Sequence, residues 1–412
     1  LFAYRHFRSK VHLLLTALFC YLSAALFAQS FKLDDSTDKV TLPFKAVRNM
    51  VVVQLRINSK GPFNFLLDTG VGIMIITEPG IVDSLSIAHK RKIRISGLGD
   101  GEDYEAQVTS VLDIQMPGLH SEGVAAAVLK QDYFNLSSYA GMPIHGIVGY
   151  DFFNSLAVKL SFRDSTVTVC RPKDLRGIRK YSWVPLSIED KKPYIQTLIT
   201  LPNGNTTHSK FVVDLGAGHP LLLENMIAKS GLPAKFIVAN LGVAINGPIK
   251  GYLSRVKELS LGRYKLKDVL TSFPDDPDTT NRYKIARDGN IGIGILKKFD
   301  VVFDYSNSSL YLKANKQFKQ AYEYDMSGLE YFATGKDYSH VVISRVAPGS
   351  PAFDAGLEKG DEIMSINLKP VSKMSIEEID NFFKSRNERT LLLDIFHDNR
   401  YDKVIITLKR RI

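Results

Sequence analysis

The apolar positions of this chain fall in short runs that either alternate with polar residues or stand almost solid, the patterns of half-buried and fully buried strands. From Thr41 to Ile57 they alternate loosely through Leu42, Phe44, Val47, Val51, Val53, Leu55 and Ile57, ahead of a Lys60–Gly61–Pro62 turn. An almost wholly apolar stretch from Phe63 to Leu67 then ends on Asp68, and Ile73–Met74–Ile75–Ile76 follows the Gly70–Val71–Gly72 turn. The same order returns later. Tyr194 to Ile199 alternates before Pro202–Asn203–Gly204, and Phe211–Val212–Val213 ends on Asp214. Each Asp is followed, after one residue, by a glycine, Gly70 and Gly216. A carboxylate at the end of a buried strand is costly unless it is paired or used, so the two ends are expected to meet.

The repetition extends beyond the two motifs. A constant shift of 143 places Gly149 on Gly292, Leu156 on Phe299, Val158 on Val301 and Leu160 on Phe303. The Asp-to-Gly spacings also agree, 81 residues from Asp68 to Gly149 and 78 from Asp214 to Gly292. A period of this length is a duplicated domain and not a solenoid repeat.

Asp68–Thr69–Gly70, with the later Ile147–Val148–Gly149, resembles the active-site signature of aspartic proteases. The Gly149–Tyr150–Asp151–Phe152–Phe153 ending is similar to that of bacterial retropepsin-like proteins. The resemblance implies a mainly β fold with two acid-protease-type β-barrel lobes, 41–171 and 182–314. It also implies an aspartic endopeptidase acting on a peptide or protein substrate. Asp68 and Asp214 would be its catalytic pair, supported by Thr69, Gly70 and Gly216. Both carboxylates lie in one chain, so no second copy is needed to complete the pair. Two carboxylates this close share one proton, and water placed between them can be activated without an acyl-enzyme intermediate. The second motif departs from the family pattern, because Leu215 stands where a hydroxyl residue is usual. Gly72 and Gly218 also replace small or hydroxyl residues. These departures keep a catalytically weak or inactive peptide-binding protein as the alternative.

Two glycine-rich segments are candidate flaps. One carries Gly97, Gly99 and Gly101 ahead of Tyr104, between extended runs, and the other spans Gly242 to Tyr252. His219, close to Asp214, is read as a loop histidine.

The region 325–412 has its own pattern. Extended runs at Tyr331–Phe332–Ala333 and Val341 to Val346 precede Ser350–Pro351, Ala355–Gly356–Leu357 and Gly360–Asp361–Glu362–Ile363. Ser375–Ile376–Glu377–Glu378 reads as a capping box for a helix with Ile376, Ile379, Phe382 and Phe383 on one side. In motif order and length this resembles a bacterial PDZ domain, a partly open β-barrel with two helices. The resemblance implies a peptide ligand. Ser327, Gly328, Leu329 and Glu330 would form its carboxylate loop, and Ile376 and Ile379 would lie on the groove wall. Glu330 is unhelpful to a carboxylate, which leaves an internal peptide segment or a purely bracing role open.

Composition adds limits. Arg5, Arg8 and Lys10 precede a largely apolar run from Val11 to Phe27, so 1–28 reads as a signal peptide. An exported bacterial protein, periplasmic or secreted, is expected, with an uncleaved membrane anchor as the alternative. No other segment is apolar enough to span a membrane. The formal charge is +10, with acidic and basic residues interleaved, which is a solvated surface and no nucleic-acid stripe. Cys20 and Cys170 are the chain's two cysteines, and no His/Cys/Asp cluster has ligand spacing. Neither a structural metal nor another cofactor is expected.

Overall fold

A computed structural model describes residues 31–84, 91–95, 104–224, 226–227, 231–244, 247–275 and 284–412. The proposed signal segment therefore lies outside the described residues. In the first lobe the strands are β1 (Lys39–Pro43), β2 (Lys45–Val47), β3 (Met50–Ile57), β4 (Lys60–Leu67), β5 (Met74–Ile76), β6 (Arg91–Ile95), β7 (Tyr104–Met116) and β8 (Leu119–Leu129). The short helix α1 (Leu136–Ala140) precedes β9 (Gly146–Val148), β10 (Ala157–Ser161) and β11 (Thr166–Cys170).

The second lobe repeats this plan. It has β12 (Ser182–Pro185), β13 (Ser187–Glu189), β14 (Lys192–Thr200), β15 (Thr206–Asp214), β16 (Leu221–Leu223), β17 (Ile237–Ala244) and β18 (Gly247–Leu261). It ends with β19 (Tyr264–Pro274), β20 (Gly289–Gly292), β21 (Phe299–Asp304) and β22 (Ser309–Ala314).

Pairing closes each lobe into a six-stranded barrel. The first ring runs β8–β5–β9–β4–β3–β7 and back to β8, and the second runs β19–β16–β20–β15–β14–β18 and back to β19. Closure removes free edges, which is how an all-β lobe avoids edge pairing. Inward positions such as Val53, Leu55, Phe65 and Leu67 in the first barrel, and Phe211, Val213 and Ile291 in the second, are at most 2% exposed. Both sets belong to one continuous apolar core.

A third sheet, β12–β22–β21–β10–β11–β1, joins the lobes. At its centre β10 and β21 are antiparallel, with Val158 opposite Phe303, Lys159 opposite Val302 and Leu160 opposite Val301. The shift of 143 maps each member of the central pair onto the other and exchanges the two flanking pairs. The sequence duplication is therefore a pseudo-twofold axis passing through Lys159 and Val302.

The carboxy-terminal domain is a five-strand path of β23 (Leu329–Thr334), β24 (His340–Val346), β25 (Glu362–Ile366), β26 (Thr390–His397) and β27 (Arg400–Thr407). The helices are α2 (Pro351–Asp354) and α3 (Ile376–Phe383). Ser350 caps α2 by accepting from Phe353 N, and Ser375 with Glu378 forms the complete capping box of α3. Ile376, Ile379 and Phe383 are buried against this domain's own core, while Phe382 packs at its margin.

Candidate active site

The β4 strand delivers Asp68 to the lobe boundary, and β15 delivers Asp214. Each is flanked by a parallel neighbour: Leu67 lies opposite Val148 in β9, and Asp214 lies opposite Gly292 in β20. Gly149 and Gly292 thus hold equivalent places, and close packing requires glycine at both. A Cβ at 149 would lie 2.4 Å from Val71 O and 2.5 Å from Asp68 O; one at 292 would lie 2.1 Å from His219 O.

The two Asp turns interlock. Gly70 N donates to Asp68 Oδ1 at 2.6 Å, and Gly216 N donates to Asp214 Oδ1 at 2.9 Å. A Cβ on Gly70 would come within 2.8 Å of Asp214 Oδ1, and one on Gly216 within 2.1 Å of Asp68 Oδ2. Each carboxylate is held by the amide of its own turn and lies against the glycine of the other. Burial first, and then the negative charge of Asp214, push the Asp68 carboxyl well above the usual range; the Gly70 amide and the Lys192 charge pull the other way. A pair in this condition holds one proton between its members. It can take a proton from water at one carboxylate and donate one from the other.

Thr69 fastens the junction. Its Oγ1 donates to Val213 O at 2.6 Å and accepts from Leu215 N at 3.0 Å, so one hydroxyl ties the first turn to both sides of Asp214. Leu215 offers no hydroxyl in return and is buried in the shared core, 1% exposed.

Two hairpin tips complete the site, and the sequence reading missed them. Arg48 and Asn49 link β2 to β3 with both residues at positive φ, and Asp190 and Lys191 link β13 to β14 in the same way. Such two-residue turns suit the twist of a hairpin. Asn49 Nδ2 donates to Gly218 O at 2.8 Å, and Lys297 Nζ donates to Asn49 Oδ1 at 2.8 Å. In the mirror arrangement Lys191 lies over the first turn: a Cβ on Gly72 would be 3.2 Å from Lys191 Cβ, and Lys191 Nζ stands 5.4 Å from the Tyr150 ring centre. Gly72 and Gly218 are thus where the opposite lobe's hairpin lands. The available signal was a polar pair between apolar residues at Arg48–Asn49 and a charged run from Glu189 to Lys192, weak because neither tip contains glycine.

Tyr305 was also missed. It is 6% exposed and stacks on Phe153, and its hydroxyl makes no hydrogen bond among the described residues. Burial, and then the charges of Asp68 and Asp214, hold that hydroxyl well above its ordinary range. The shift of 143 aligns Tyr305 with Phe162, so this difference between the lobes was visible in the sequence. His219 engages Asn290 Oδ1 through Nε2 at 2.5 Å and braces β20; burial lowers its pKa.

The candidate flaps are hairpins whose tips escape description. Ile95 pairs with Tyr104 across the first, while Gly97, Gly99 and Gly101 lie outside the described residues. In the second, the register shifts around Gly242, and Tyr252 donates to Asp275 Oδ2 at 3.2 Å. In the third domain, Gly328 N donates to Asp325 Oδ1 at 2.6 Å and Leu329 N to Ser327 Oγ at 3.1 Å, so both loop amides are already engaged. Glu330 accepts from Arg345 Nη1 at 2.5 Å and from Asn240 Nδ2 of the second lobe at 3.0 Å. Ile376 and Ile379 line the groove side of α3 and are 6% and 1% exposed.

The family described as aspartyl protease matches residues 53–152, and the PDZ domain family matches residues 331–395. Among solved structures, the chain is similar to an aspartic proteinase from Irpex lacteus at 13% identity and a TM-score of 0.44. That match covers 69% of this chain and 99% of the other. It is also similar to a photosystem II D1 C-terminal processing protease at 21% identity and a TM-score of 0.20, spanning 21% of this chain and 23% of that one. No curated protein matches the chain. The two family matches fall on the barrel that carries Asp68 and on the five-strand terminal sheet, so the chain contains an aspartyl-protease-type domain and a carboxy-terminal PDZ domain.

Proposed function

We propose that the chain is an aspartic-type endopeptidase whose single active site lies between Asp68 and Asp214. The observation that carries this reading is the interlock of the two turns, with each carboxylate held by its own glycine amide and set against the opposite glycine. Asp68, with its raised pKa, carries the shared proton and presents it to the scissile carbonyl oxygen. Asp214 takes a proton from the water as the water oxygen bonds to the carbonyl carbon. That proton then passes to the amide nitrogen as the C–N bond breaks, while one hydroxyl of the tetrahedral adduct returns its proton to Asp68 as the product carbonyl re-forms, and the pair regains its starting state. Thr69, Gly70 and Gly216 position the carboxylates without touching the reacting atoms. The paired hairpins β6–β7 and β17–β18 serve as flaps over an extended peptide.

The PDZ domain is the accessory part, of a fold that receives an extended segment beside an edge strand. The basic and then apolar segment 1–28 supports an exported protein. A peptide-binding protein without turnover is the second reading, and Leu215 is the observation that favours it. Purified protein incubated with a mixed peptide library at several pH values separates the two. Cleavage suppressed by a statine-type inhibitor supports the peptidase, and retention of library peptides with no cleavage at any pH supports the binder.

A further inference from the structure

The PDZ groove is not empty. Its strand wall is the outer edge of β23, which among the described residues pairs on one side only, with β24, and its helix wall is α3. The first lobe enters the space between them. Helix α1 lies along β23, and Gly141, which ends α1 at φ 63°, stands between the walls. A Cβ there would be 3.4 Å from Ile376 Cβ on the helix and 3.5 Å from Ala333 Cβ on the strand.

Arg48 completes the closure. Its Nη1 donates to Tyr331 O of β23 at 3.0 Å and to Tyr139 O at 3.1 Å. Its Nη2 and Nε reach Asp380 Oδ1 of α3 at 2.8 and 3.2 Å, and its backbone N donates to Glu377 Oε2 at 2.7 Å. The guanidinium is sandwiched between the rings of Tyr139 and Tyr331, 4.8 and 4.6 Å from their centres. Arg48 is 7% exposed. At the end of the groove where a peptide carboxylate would seat, Asp325 already holds the Gly328 amide and the Ser327 hydroxyl. What remains is a cavity of ≈ 530 Å³ walled by Ala333, Ile376 and Ile379 on one side and by Val47, Gly141 and Met142 of the first lobe on the other.

The residue next to Arg48 is Asn49, which reaches Gly218 in the turn that carries Asp214. One two-residue turn therefore joins the PDZ groove to the active-site loop. We propose that the groove's occupant is the chain's own first lobe. The PDZ domain then acts as a clamp that holds the Arg48–Asn49 turn against the Asp214 loop. A peptide entering the groove in trans must displace the clamp, so groove occupancy and support of the Asp214 loop exclude each other. Linkage makes this reciprocal: whatever opens the groove loosens the loop, and whatever firms the loop closes the groove.

The test uses the full chain and hydrogen exchange, which reads the clamp whether or not the protein is a peptidase. Arg48→Met keeps the side-chain stem and removes the cation. Amides of β23 and α3, and those of Leu215 to His219, should then exchange roughly tenfold faster or more. Asn49→Ala, which cuts the link itself, should speed exchange at Leu215 to His219 most and, by the same linkage, speed β23 and α3 in the same direction but by less. If Arg48→Met does not fold, Asp380→Asn keeps an acceptor oxygen in place and carries the same expectation. Turnover is the second readout and rests on the peptidase reading: Arg48→Met should lower it about tenfold through mispositioning. No turnover by any form would count against the peptidase alone. Accelerated exchange in β23 and α3 with an unchanged Asp214 loop would overturn the clamp, as would an unchanged groove in Arg48→Met.

Discussion

Replacing Thr69 by valine keeps the shape of the side chain and removes one oxygen. That oxygen accepts from Leu215 N and donates to Val213 O, and both residues are at most 1% exposed. Water cannot readily replace it there. Each stranded backbone group costs about 1–3 kcal/mol, so the junction should lose about 2–6 kcal/mol locally. Leu215 has no hydroxyl to compensate, so beside the carboxylate pair itself the polar link between the turns rests on Thr69. A single unfolding free energy is poorly defined for a chain of three folding units, so a residue-resolved assay is needed. At about 1.4 kcal/mol per factor of ten, the Leu215 amide should exchange roughly 30-fold faster or more in Thr69→Val. Thr69→Ser, which retains the hydroxyl, should stay near the unmodified protein. A Leu215 amide as protected in Thr69→Val as in the parent would refute the reasoning.

Three further outcomes follow from the same geometry. Gly216→Ala would set a methyl group 2.1 Å from Asp68 Oδ2, so turnover should be lost in a protein whose circular dichroism is unchanged; retained activity would show that the turns are not interlocked. Folding raises the Asp68 pKa, so the stability this group contributes is complete below its unfolded value and disappears as pH rises through the raised one. Turnover should show an alkaline limb over that same range, and a rate that holds flat far into alkaline pH would contradict the shared proton. Asp325 is pushed up to about 6, mainly by burial, so its contribution to the PDZ domain is present below about pH 4 and lost as pH passes 6. The amount is on the order of 3 kcal/mol, and Asp325→Asn should flatten the pH dependence of exchange in β23.

The duplication was legible because each lobe writes the same short grammar: an apolar strand, an Asp, a glycine, and later an apolar pair before another glycine. The shift of 143 relates Lys159 to Val302, and the structure adds that these equivalent positions pair with each other. PDZ capping was equally readable, because Ser375 and Glu378 lie within one helical turn. What the sequence could not show are contacts between distant parts. Arg48 and Asp380 are separated by 332 residues and belong to different domains, so no local pattern marks either as a partner. A carboxylate loop is expected by position at Ser327 to Glu330, but the engagement of the Gly328 amide by Asp325 depends on how the chain enters the domain. Gly72 and Gly218 stood out as departures in the sequence, and the structure supplies their reason in the hairpin tips that land on them.

The paired carboxylates are tested most directly by turnover of Asp214→Asn beside the unmodified chain, with folding checked by circular dichroism and by exchange in both barrels. The substitution preserves size and the contact with Gly216 N but removes the carboxylate to which the proposed mechanism assigns the water proton. Turnover should fall by roughly a factor of 10³ or more, and Asp68→Asn should match it, as expected when both groups are needed in one step. Peptide cleavage by folded Asp214→Asn at the parent rate would contradict the account.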